Sequence, residues 1–132
     1  MMQILQPPGW ASPRGYANGI AASGGKTVYI AGQVGWTGEG AWVEKSFGGQ
    51  FRQALANVLA VLGEAGGSPG HLVRMTWYVL DRDEYMSALK EVGAAYRELV
   101  GKHFPAMTVV QVGGLVEREA RLEIEATAVI PE

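Results

Sequence analysis

The side chains of this sequence best placed to do chemistry are two carboxylates near its C-terminus, Glu123 and Glu125 in ARLEIEATAVI. Successive side chains of a strand alternate between faces, so Leu122, Ile124, Ala126, Ala128 and Ile130 point one way, and Arg121, Glu123, Glu125 and Thr127 the other. A carboxylate on such a non-core face can take a proton from a water if a pocket adjoins it; it also fits a solvated or ion-paired charge at an edge. Upstream, Met107 and Thr108 lie in FPAMTVV. Met107 brings a weakly accepting thioether suited to a wall or to packing, and Thr108 a hydroxyl that can donate to a neutral or weakly polar ligand.

Other chemistries are absent or fail on spacing. The chain has no cysteine, which excludes disulfides, thiolate nucleophiles and Cys-ligated zinc. His71 and His103 stand far apart and in no metal-ligand spacing, so each reads as a structural or surface histidine, and no metal site is expected. Gly25-Lys26-Thr27 has the ending of a phosphate-binding loop, but the glycine needed five positions earlier is Ile20 and a strand follows; a hairpin turn is the simpler reading. Trp36 and Trp42 lie in a Gly-rich stretch, as anchors on the body or as a pocket wall.

The elements that must hold these residues follow from periodicity. Strands are predicted over 16–23 and 27–32, flanking Gly24-Gly25. A helix begins after Ser46, carries Phe47, Phe51, Leu55, Val58, Leu59 and Leu62 on one stripe, and ends at Gly66-Gly67. A strand over 72–80 is rich in Val, Thr, Trp and Tyr. A second helix spans 83–100, and two strands separated by Gly113-Gly114 and Glu117-Arg118-Glu119 close the chain. The order ββαβαββ implies an α+β fold: one mixed sheet with two helices on one face. The other face carries Tyr78 and Leu80, and residues 28–31 and, apart from Gln111, 109–112 are apolar on both sides. An uncovered face of that kind points to a homo-oligomer.

Composition bounds the function. A chain of 132 residues, 48% hydrophobic and 18% charged, fits a single domain over 1–132 with a real core. Its net charge of −2 and scattered basic residues count against nucleic acid or an anionic membrane as a partner. No apolar run nears the roughly 18 residues of a membrane span, and MMQILQPPGW lacks a basic region followed by an apolar one, so a cytoplasmic location is expected.

Read in order, RGYANGIAASGGKTVYIAGQVGW, QALANVLAVLGEAGG, HLVRMTWYVLDRDEYMSALKEVGAAY, FPAMTVV and ARLEIEATAVI resemble the Rid family, also called the YjgF family, from about residue 16 to residue 130. The resemblance implies a chorismate-mutase-like fold and a homotrimer, with the open sheet faces meeting in a central barrel and small-molecule pockets between subunits. It also implies hydrolysis of reactive enamines and imines to a keto acid and ammonia without any cofactor; some relatives carry translation-inhibition or ribonuclease labels. Carried over by position, it implies Tyr16, Gly32, Gln33, Met107 and Thr108 as ligand-binding residues and Glu123 as the residue that positions the attacking water.

Five positions depart from the deaminase pattern. Where the deaminases show Pro-Ala-Arg-Ser, this chain has Pro105-Ala106-Met107-Thr108; Gly93 replaces an asparagine, Ala31 a serine, and Val109 a frequent cysteine. A guanidinium offers paired donors to a planar carboxylate, and a thioether offers none. Three functions follow from this: a trimer whose pocket binds and hydrolyses a small molecule without an α-carboxylate; an ordinary enamine/imine deaminase using a substitute cation; or a non-enzymatic trimer that meets a protein or a nucleic acid.

Overall fold

The computed structural model describes residues 2–132. In chain order it contains β1 (Met2–Leu5), β2 (Gly19–Ala22), β3 (Lys26–Val34), α1 (Phe47–Glu64), β4 (Leu72–Val79), α2 (Arg82–Ser87), α3 (Leu89–Leu99), β5 (Ala106–Gln111) and β6 (Leu122–Ile130), with a 3₁₀ turn at Pro69–His71. A four-stranded mixed sheet has the order β3-β6-β4-β5. β6 runs antiparallel to both β3 and β4, which are therefore parallel to each other, and α1 makes the crossover between them. β5 lies parallel to β4, joined to it through α2 and α3.

The alternation in β6 appears as expected: Leu122, Ile124, Ala126 and Ala128 are buried, while Glu123, Glu125 and Thr127 face away from the core. Phe51, Leu55, Val58 and Leu62 of α1 complete the core against Leu72 and Met75 of β4. Ser46 caps α1, its Oγ accepting from the Gly49 amide at 3.1 Å. At the other end the Gly67 amide donates to Leu62 and the Gly66 amide to Gly63, the paired bonds that close a helix on glycine.

One buried polar side chain locks the helix layer to the sheet. Gln50, 2% exposed, donates through Nε2 to the Glu44 and Glu119 carbonyls and accepts at Oε1 from the Arg121 amide at 2.8 Å. The turn before β6 is thereby fixed to the first turns of α1. Both histidines are structural, as expected. His71 Nδ1 accepts from the Ser68 amide at 3.0 Å, and His103 Nε2 donates to the Leu72 carbonyl at 2.6 Å.

Three expectations need correction. The helix predicted over 83–100 is two helices, because at Ala88 the ladder tightens: the Ala88 amide bonds to Tyr85, three residues back, before the ladder resumes from Val92 to Ala88. The single sheet is a four-stranded sheet plus a separate antiparallel ribbon, β1-β2, joined to β5 by a bridge between Ala17 and Ala106. Gly24 and Gly25 do turn the chain with positive φ, but β2 pairs with β1 and not with β3, so they do not close a hairpin. Among the described residues no helix is long and apolar enough to cross a membrane.

Two measurements test this packing. Gln50→Met keeps the volume and removes three hydrogen bonds, so urea unfolding should show a loss of roughly 2–4 kcal/mol. Tyr96 is buried and its hydroxyl donates to the His103 carbonyl at 2.6 Å; burial pushes its phenol well above the ordinary value of 10.0. The fold therefore favours the protonated phenol, a contribution complete below pH 10.0 and lost as pH rises through the folded value. Melting temperature should fall above that pH, and Tyr96→Phe should flatten the fall while costing about 1 kcal/mol at neutral pH.

Candidate functional site

The parallel register of β4 and β5 sets which way each site residue faces. Met107 pairs with the buried Met75, and Val109 with the buried Trp77, so both turn toward the helices; Thr108, beside Thr76, turns to the open face. Over Met107 and Val109 lies a cleft of about 550 Å³, walled by α2, α3, the loop before β2 and the loop before β5. Its buried floor is Trp77, Val92 and Tyr96, and Met107 packs on the core beside them. Met107 is thus both packing and wall.

Aromatic rings dominate this cleft. Tyr96 stacks on Phe104 with ring centres 5.5 Å apart and planes 6° from parallel, and Trp77 meets Tyr85 and Tyr96 at 6.5 and 6.2 Å. Tyr16 adds a further ring, 41% exposed. Burial raises the phenol pKa of Tyr85 as well as that of Tyr96, so both enter the cleft wall as neutral groups. Trp77 Nε1 is buried with no hydrogen-bond partner among the described residues. Two cations, Arg14 and Arg97, complete the lining.

The carboxylate lies elsewhere. Glu123 is on the open face of β6, between Val34 of β3 and Tyr78 of β4. A register shift between Ile30 and Gln33 brings Gly32 against it, and the Glu123 carboxylate fills the space that a Cβ on Gly32 would need. Gln33 sits beside them, but its side chain turns back to donate to the Ala31 carbonyl at 3.2 Å. The two glutamates of the strand differ in their hydrogen-bond partners. Glu125 accepts a short hydrogen bond from the Tyr78 hydroxyl, which holds that proton and raises the phenol's pKa; Glu123 has no side-chain partner among the described residues.

The six residues singled out by sequence therefore fall into two groups. Tyr16 and Met107 line the aromatic cleft on the helix side. Gly32 and Glu123 meet on the open side, with Thr108 on the same face but separated from β6 by β4, while Gln33 is next to Gly32 in sequence but pairs in register with the inward-facing Ile124. Trp36 and Trp42 pack on each other at 5.5 Å, the Trp36 carbonyl accepts from Asn57, and neither borders the cleft. Sequence reasoning missed Arg14, Arg97, Tyr85 and Phe104 as cleft residues. The one available signal was helical spacing: Leu89, Val92, Gly93, Tyr96 and Arg97 share one stripe of α3. Among the described residues no three His, Asp or Glu side chains cluster as a metal site.

Comparison with known proteins places this arrangement. Residues 10–130 match the family model described as Endoribonuclease L-PSP. The 2-iminobutanoate/2-iminopropanoate deaminase of Salmonella typhimurium is 32% identical over 108 residues, 80% of each chain. The crystal structure of the Rid family protein YyfB of Yersinia pestis superposes with a TM-score of 0.86 at 30% identity, covering 98% of both chains. That of RidA from the Antarctic bacterium Psychrobacter sp. gives a TM-score of 0.69 at 28% identity, covering 97% of this chain and 99% of the other. The fold is the chorismate-mutase-like α+β fold, and the chain belongs to the Rid family, the YjgF-type family described by the Endoribonuclease L-PSP model.

Proposed function

We propose that this protein is a homotrimeric, cofactor-independent hydrolase of a small imine or enamine that lacks an α-carboxylate. The observation that carries the reading is the division of the site. Glu123 and the aromatic cleft lie on opposite faces of one sheet, so a pocket containing both requires a second copy of the chain. The open face that would supply the contact has Tyr29 80% exposed and offers Thr76, Glu125 and Thr127 beside it. Kinship with a protein named as an iminobutanoate deaminase supports the reaction class.

The chemistry needs little. Water adds to the carbon of the C=N bond as Glu123 takes a proton from it; the nitrogen gains protons, and the carbinolamine collapses to a carbonyl compound and ammonia. Glu125 already accepts from the Tyr78 hydroxyl, whereas the Glu123 carboxylate makes no side-chain hydrogen bond among the described residues and has its oxygens open to a water. What the cleft lacks is a donor fork at Met107, where a carboxylate on the reacting carbon would otherwise be held.

Two outcomes are expected. Sedimentation equilibrium should give about 42 kDa, three chains of 14.1 kDa; a 14.1 kDa species at micromolar concentration would remove the intersubunit pocket. With freshly generated 2-aminoacrylate, ammonia release should be slow, should rise about a hundredfold in Met107→Arg, and should fall by 10²–10⁴ when Glu123→Ala is added, roughly the range for losing a general base. Fast, glutamate-dependent turnover by the unaltered protein would sink the claim that the substrate lacks an α-carboxylate.

A further inference from the structure

The cleft has a polarity of its own. Its floor, Trp77, Val92 and Tyr96, is buried and apolar or neutral, whereas Arg14 and Arg97 are exposed and stand at its rim. Neither arginine side chain makes an ion pair or hydrogen bond among the described residues, whereas Arg52 of α1 pairs with Glu98 and Arg121, just before β6, with Glu84. Arg97 could have turned to solvent along its helix. Instead one guanidinium nitrogen lies over Gly93, one turn earlier on the same stripe, only 3.3 Å from where a Cβ at that position would be. The bare glycine lets the guanidinium lie against the cleft wall.

We propose that Arg97, together with Arg14, is the anion anchor of this cleft, and that its ligand is an aryl or alkyl carboxylate whose acid group sits at the rim, remote from the end that meets Met107. An apolar body fits the floor because rings and a thioether surround it without a free charge. The acid group fits the rim because two unpaired guanidiniums there present donor forks to a planar carboxylate. This names the substrate class for the reaction proposed above and depends on that reading only for which carbon reacts. The cleft itself is lined by one chain.

Calorimetric titration at low ionic strength with 3-phenylpropionate, its neutral amide and propionate tests the assignment. The aromatic acid should bind at least about tenfold more tightly than the amide or propionate. Arg97→Ala should remove most of the acid's advantage and leave the amide unchanged, while Arg97→Lys, which keeps the charge but not the fork, should keep part of it. Equal binding of acid and amide, propionate as tight as phenylpropionate, no binding of any probe, or an unchanged acid affinity in Arg14→Ala/Arg97→Ala each overturns it. Ammonia release plays no part in the assay. A Glu123-dependent hydrolase can therefore fail it, and a protein without hydrolysis can pass it.

Discussion

Everything in this molecule depends on β6 being two-faced at the centre of the sheet. Leu122, Ile124, Ala126 and Ala128 are held against α1 by a hydrophobic core that cannot be re-registered without turning four apolar side chains outward. At roughly 1.5–3 kcal/mol for each large side chain, the burial fixes the strand's register far more firmly than any hydrogen bond could. The charged residues have no say in the matter. Glu123, Glu125 and Thr127 occupy the open face because the core residues between them occupy the other. Gln50 secures the starting point, since its bond to the Arg121 amide sets where the alternation begins.

That constraint separates reactivity from recognition. The same sheet gives its helix side to an aromatic cleft through Trp77, Met107 and Val109 and its open side to Glu123. A single copy holds an aromatic cleft without a carboxylate and the Glu123 carboxylate on the face away from that cleft. Association through the open face is thus part of the chemistry in the proposed function, not an addition to it. It would also cover a face whose apolar and aromatic groups are left to solvent in the single chain.

Much of this was legible in the residues. The core stripe of α1, its Ser46 cap, the strand over 72–79 and the two faces of β6 all follow from period and capping, because strong local patterns agree there with the tertiary packing. What escaped was decided by partners distant in sequence. β1 is four residues long and mostly exposed, and it exists as a strand only because β2 pairs with it. Gly24-Gly25 carries a strong hairpin signal, but β6 captures β3 and leaves β2 to the ribbon. The break at Ala88 has no glycine or proline to announce it. In the site, Gly32 and Glu123 lie ninety-one positions apart, and only the register shift in β3 brings them together.

The placement of positive charge follows from the same physics as the placement of Met107. A guanidinium at that position would stand beside Met75 and Trp77, in a cleft floored by rings, where an unpaired charge is costly whenever the ligand is absent. Methionine removes that cost and with it the fixed carboxylate site. Arginines at the rim behave differently, for an exposed guanidinium keeps its hydration in the empty cleft and gives up part of it only when an anion arrives. A cleft with an apolar floor and a solvated cationic rim is therefore stable when empty. In the proposed reading it would select a ligand by the distance between its apolar body and its charge, a criterion that a short α-imino acid would not meet.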